Sequence, residues 1–173
     1  MAVVVFLRGV NVGGHKTFRP TLLAKQLRAY DAVNIGAAGT FVVRKPGDPK
    51  KFRSVLLSKL SVDAQVSICQ GKDIVQFADD DPFSRARAAP DLVRFVSILP
   101  RRSALQKRFP IVIPETGECL VRVLGVRKQF VYGFYRRNMK TIGCLGQIDK
   151  LFGAPATTRG WKTILSIVEM LRR

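Results

Sequence analysis

Val3, Val4, Val5, Phe6 and Leu7 leave no polar position on either side of an extended segment. Successive side chains of a strand point to opposite faces. Such a strand therefore needs apolar cover above and below. It runs directly into Arg8-Gly9-Val10-Asn11-Val12-Gly13-Gly14-His15-Lys16, where glycines free the backbone and cations flank it. Exposed backbone N–H groups beside positive charge suit an anion. Arg8, Asn11, Gly13, Gly14 and Lys16 are accordingly candidate anion-binding residues. The alternative is a tight strand-to-helix crossover whose glycines only supply positive φ. A Walker loop is excluded, because His15 intrudes before the lysine and Phe18-Arg19-Pro20 delay the helix.

From that strand the pattern continues helix, strand, strand, helix, strand. Leu23, Leu27 and Tyr30 share a helical face after Pro20. Two short strands follow near residues 33–37 and 40–44. Asp48-Pro49 supplies an N-cap and a first-turn proline for a helix burying Phe52, Val55, Leu56 and Leu60. The stretch 62–69 is the fourth strand. This βαββαβ order predicts a ferredoxin-like arrangement. A helix over 71–79 ends at Asp79-Asp80-Asp81-Pro82, and the basic connector 85–90 marks a boundary. The expectation is an α+β protein of two ferredoxin-like halves, residues 1–80 and 81–173, with antiparallel sheets and helices. The second half repeats the theme with a strand at 93–99, a short helix at 103–108, and a hairpin turning at Gly125-Val126-Arg127-Lys128. Helices at 139–152 and 161–170 close it. Helices cover only one face of such a sheet, so the other face of the first strand is expected to pack on the second half. That argues against an RNA-recognition motif, whose sheet stays open to bases.

Thirty Lys and Arg against twelve Asp and Glu give a formal net charge of +18. A compact chain with that surplus repels itself unless the charge has a use or a partner. Nucleic acid, an anionic membrane or a phosphorylated small molecule would serve; a basic surface without such a role is the plain alternative. Eighteen of the basic residues lie in 81–173, which favours the second half. There Phe130, Tyr132 and Phe134 share one strand face, with Tyr135 opposite. Arg122, Arg127, Lys128, Arg136, Arg137 and Lys140 surround them. Rings that stack bases and cations that neutralise phosphate together suit single-stranded nucleic acid. A stripe of rings on a strand is ordinarily core, so the six cations carry the nucleic-acid expectation.

Near the other end, Thr157 or Thr158 is read as N-cap of the last helix, placing Arg159 and Lys162 in its first turn. Cations are disfavoured there by the helix dipole, a conflict a bound anion would relieve. Thr158 and Arg159 join the candidate anion-binding set. Lys50 and Lys51, behind Asp48, are read as a solvated face. Trp161, Leu165, Val168 and Leu171 are read as a core stripe.

These motifs have a family likeness. Leu7-Arg8-Gly9-Val10-Asn11-Val12-Gly13-Gly14 resembles the L-R-G-I-N-V-G-G opening of the bacterial DUF1697 family of proteins of unknown function. Asp81-Pro82-Phe83 resembles its N-P-F, and Ala156–Thr163 its A-T-T-R-N-W-x-T segment. The resemblance implies the α+β architecture already reached and brings no activity with it. Ala38-Gly39-Thr40 stands where the family usually has S-G-N, and Gly160 where it usually has Asn. An activity resting on those side chains would be lost here.

No catalytic constellation emerges. The single histidine, His15, lacks an assignable partner for a Ser-His-Asp arrangement, and the three cysteines, Cys69, Cys119 and Cys144, are too scattered to build a zinc site. Neither metal nor cofactor is expected. The first apolar run meets Arg8 too early for a secretory signal, and no run is long enough to span a membrane. A cytoplasmic protein with reduced thiols is expected. The leading functional expectation is nucleic-acid or other polyanion binding through the second half. The alternatives are an enzyme or sensor holding a small phosphorylated or carboxylated ligand at the Arg8–Lys16 loop and Arg159, and a structural or interaction protein.

Overall fold

The structure, a computed structural model, describes residues 1–10, 17–87, 89–104 and 107–173. The chain divides into two compact units. The first comprises Met1–Gln76 and Leu165–Arg173, the second Phe77–Ile164.

In the first unit the order is β1 (Val3–Arg8), α1 (Pro20–Gln26), β2 (Ala32–Asn34), β3 (Thr40–Val43), α2 (Pro49–Lys59) and β4 (Gln65–Gln70), and α3 (Gly71–Asp79) begins in it and ends in the second. The sheet runs β2-β3-β1-β4 with every neighbour antiparallel. Helix α2 starts where its local chemistry dictates. Asp48 accepts the Lys51 N–H at 2.7 Å and Pro49 occupies the first turn, so one orphan donor is satisfied and the proline forfeits none. Val3, Val5 and Leu7 pack with Phe41, Leu23, Leu27, Phe52 and Leu56 in one core. The alternate residues Val4, Phe6 and Val42 are also fully buried. The same unit contributes buried Ile74, Ile167 and Val168. Gly71 N–H bonds to the Ala2 carbonyl at 2.9 Å, and Leu171 lies against Gly71. The closing turns of the last helix thus belong to the first unit.

The second unit holds β5 (Leu92–Ile98), β6 (Ile111–Ile113), β7 (Val121–Arg127), β8 (Phe130–Arg136), α4 (Thr141–Phe152) and β9 (Thr157–Gly160). Helix α5 (Trp161–Arg172) begins in it and ends in the first unit. Its antiparallel sheet runs β6-β7-β8-β5-β9. Phe95, Val121, Val123 and Val131 pack with Cys144 and Ile148 of α4 in one core. On the opposite face Phe130, Tyr132 and Phe134 meet Phe77 and Phe83, with ring centroids 5.0–5.8 Å apart.

Both units are α+β, with four- and five-stranded antiparallel sheets. Several local expectations are corrected. The division falls at Gln76/Phe77, and the C-terminal residues return to the first unit rather than staying with the second. The helix expected at 103–108 is not formed at Ser103, Ala104, Lys107 or Arg108, while Leu105 and Gln106 lie outside the described residues. The Ser103 N–H is taken instead by the Lys128 carbonyl at 2.9 Å. The hairpin turns at Lys128-Gln129, where Lys128 adopts φ 56°, whereas Gly125 sits in an irregularity of β7 beneath Tyr132. Thr157 and Thr158 are strand residues, not a helix cap, because β9 pairs with β5. Arg159 is therefore outside the first turn of α5. Leu165 is 47% exposed and Ile164 and Ile167 replace it in the buried stripe.

Candidate functional site

Strand register places three residues in one row on the aromatic face of the second unit. Arg94 of β5 stands opposite Phe134 of β8, which stands opposite Arg122 of β7. Antiparallel partners are roughly 4.5–5.5 Å apart at Cα, so an arginine stands on the strand at either side of Phe134. The Arg94 guanidinium also lies over Phe83, 5.4 Å from the ring centroid. A cation over a ring face is attracted by its quadrupole, which holds Arg94 against the surface while its charge reaches water.

Beside this row is a cavity of about 320 Å³. Arg85, Arg87 and Arg122 supply its charge, and Leu92, Phe109, Leu124 and Phe134 its apolar lining. Phe134 is buried, whereas Phe109 is only partly so. Among the described residues no carboxylate pairs with Arg85, Arg87, Arg94 or Arg122. Two acids of the same unit are engaged elsewhere. Asp91 binds Arg136 at 2.6 Å, and Glu118 lies 3.7 Å from the Arg136 Nε.

The residues expected from sequence fall into distinct settings. Arg8 ends β1 in the first unit, opposite Gln65. Asn11, Gly13, Gly14 and Lys16 lie outside the described residues. Thr158 and Arg159 stand in the second unit on β9. Thr158 Oγ1 and Ser97 Oγ share a hydrogen bond of 2.7 Å. The Arg159 guanidinium donates to the Thr158 carbonyl at 2.9 Å, and burial lowers its pKa to about 10, which leaves it charged at neutral pH. Of the six cations expected to meet nucleic acid, Arg127 is bound to Asp80 at 3.2 Å and lies over Tyr132. Arg136 is bound to Asp91. Lys128 occupies the hairpin tip, and Arg137 and Lys140 lead into α4, all exposed. Arg122 alone of the six belongs to the cavity.

Arg85, Arg87 and Arg94 are functional candidates that sequence reasoning missed. The R-x-R of the connector was a visible signal for the first two. Arg94 was hidden in a largely apolar strand. Net charge does not distinguish the two units. By structural unit, sixteen basic residues face seven acidic in the second and fourteen face five in the first, the same surplus in each. The second unit groups three arginines around a cavity.

Among the described residues no cluster of His, Cys, Asp and Glu could hold a metal, and no helix is long and apolar enough to cross a membrane. No curated protein and no solved structure is significantly similar to the chain. A family model described as a protein of unknown function, DUF1697, matches residues 1–110. That span takes in the β1–Lys16 motif, all of β1 to β5 and the Asp81-Pro82-Phe83 segment, and stops before Ala156–Thr163. The chain belongs to the DUF1697 family.

Proposed function

We propose that the second unit binds nucleic acid through phosphate contacts. The observation that carries this reading is the group Arg85, Arg87, Arg94 and Arg122, four guanidiniums on one part of a unit with no carboxylate partner among the described residues. Guanidinium is weakly hydrated and matches phosphate with two parallel N–H donors. Cations of this kind displace condensed counterions from a polyanion, which makes affinity fall with salt. Such contacts position the ligand without reading its sequence, so binding is weakly sequence-specific. Arg137 and Lys140 extend the positive surface, whereas Arg127 and Arg136 contribute less because each already faces an acid. The thiols of Cys69 and Cys144, buried and free, fit a protein that works in the reducing cytoplasm.

The test is oligonucleotide affinity across a salt series. Four phosphate contacts give a log–log slope of roughly −3 for a single strand. Arg122→Ala should weaken binding and flatten the slope by about 0.7. Absence of binding at low salt, or an affinity indifferent to salt, overturns the reading.

A further inference from the structure

We infer that the cavity ringed by Arg85, Arg87 and Arg122 receives one unstacked nucleobase, so that the second unit binds single strands in preference to duplex. This rests on the phosphate-contact reading of the same unit and adds what the ligand must be. Four free arginines on a flat surface would accept any polyanion. Here three of them, Arg85, Arg87 and Arg122, line a recess of about 320 Å³ whose remaining lining is mainly apolar, with the partly buried ring of Phe109, the exposed Pro110 and the side chains of Leu92 and Leu124. Cavities that hold small molecules run from roughly 300 to 1,000 Å³, so this one is matched to a single planar group rather than to a larger ligand. An apolar recess beneath cations offers phosphate nothing, because burying a charged oxygen against leucine and phenylalanine forfeits its hydration. A base has a flat apolar face and polar edges. It can enter the recess while the phosphates on either side stay at the rim with the guanidiniums. In duplex the base is stacked and paired and cannot enter without being extruded. Single strands display it at no such cost. The buried ring of Phe134 also lines the recess and is not itself the platform; the more accessible ring is Phe109.

The experiment measures fluorescence anisotropy of the full chain with three short labelled probes of equal phosphate number: a single strand, an abasic strand and a duplex. The single strand should bind at least about tenfold more tightly than the abasic strand, the scale of one base stacked on an aromatic ring. Leu124→Trp, which fills the recess, should erase that preference while leaving the affinity and salt slope for the abasic strand unchanged. Phe109→Leu keeps the apolar volume and should cut the preference severalfold. It serves as the second variant, and an unchanged far-UV circular dichroism spectrum and a cooperative melting transition show that each folds. Equal affinity for all three probes, or a preference that survives Leu124→Trp, overturns the inference and leaves the phosphate reading standing. If none of the probes binds at low salt, the phosphate reading fails and the inference fails with it.

Discussion

Gly133→Ala should be among the most damaging single-methyl insertions in the second unit. Gly133 lies in β8 between Phe95 of β5 and Val123 of β7. A Cβ there would fall 2.0 Å from the Arg122 carbonyl oxygen, 2.9 Å from its carbon and 3.0 Å from the Val123 Cα, all backbone atoms. Carbon and carbonyl oxygen approach no closer than roughly 3.3 Å, so β7 and β8 would have to part by about 1 Å or more. Strands spaced roughly 4.8 Å apart cannot open that far without losing the flanking hydrogen bonds. Two such bonds are worth roughly 1–3 kcal/mol net, and overpacking adds roughly 1–3 kcal/mol. A loss near 4 kcal/mol is a large part of the roughly 5–15 kcal/mol that holds a typical protein folded. At roughly 2–4 °C per kcal/mol for a chain of this size, the melting temperature should drop by about 8–16 °C. Trp161, the sole tryptophan, lies 5.0 Å from the Phe83 ring by centroids, so its fluorescence reports on this unit. Gly125→Ala is the control. Its Cβ would meet the Tyr132 hydroxyl at 2.8 Å, and a side-chain end can yield where backbone cannot. A Gly133→Ala protein melting within about 2 °C of the parent, or a Gly125→Ala protein that melts lower still, would refute the steric reasoning.

Asp91→Ala should remove the nearer of the two acids beside Arg136, leaving only Glu118 at 3.7 Å, and change stability by less than about 1 kcal/mol, as for other exposed pairs. If phosphate is the ligand, it should raise oligonucleotide affinity severalfold and steepen the salt slope; weaker binding would contradict the proposed interface. Asp48→Ala removes the acceptor of the Lys51 N–H and should cost about 1 kcal/mol in a denaturant titration. Burial, then the neighbouring Asp73 charge, pushes the Cys69 thiol above its ordinary value of 9.0. The folded state therefore keeps a proton that the unfolded chain gives up, and stability that is intact below pH 9.0 should fall as pH rises beyond it. That loss should be absent from Cys69→Ala, and in the native protein a thiol reagent should reach Cys119, which is only partly buried, before Cys69.

Features encoded within a few residues were legible before the fold was known. Asp48-Pro49 states its cap in two residues, the all-apolar run from Val3 to Leu7 demands two covered faces, and period-two alternation places Phe130, Tyr132 and Phe134 opposite Tyr135. Features set by distant partners were not. Thr157 and Thr158 carry the chemistry of a cap, and only pairing with Ser97 and Ile98, some sixty residues earlier, makes them a strand. Gly125 looks like a turn residue, yet it lies within β7 under Tyr132. Arg127 reads as a free cation until Asp80, 47 residues away, is found beside it. The site was half legible for the same reason. Arg122 could be picked out by its aromatic neighbours, but Arg85, Arg87 and Arg94 join it only through the register of β5, β7 and β8 and the path of the connector.

The return of Leu165–Arg173 to the first unit has a consequence for synthesis. A ribosome finishes Gln76 long before it reaches Leu165, roughly 5–20 s earlier at ordinary elongation rates. Through that interval the nascent first unit lacks Ile167, Val168 and Leu171, and the apolar residues those side chains help bury stay open to chaperones or to other chains. Nor can that unit be obtained by cutting the gene near codon 80. A faithful excision would splice the final nine residues back onto Gln76 through a flexible linker.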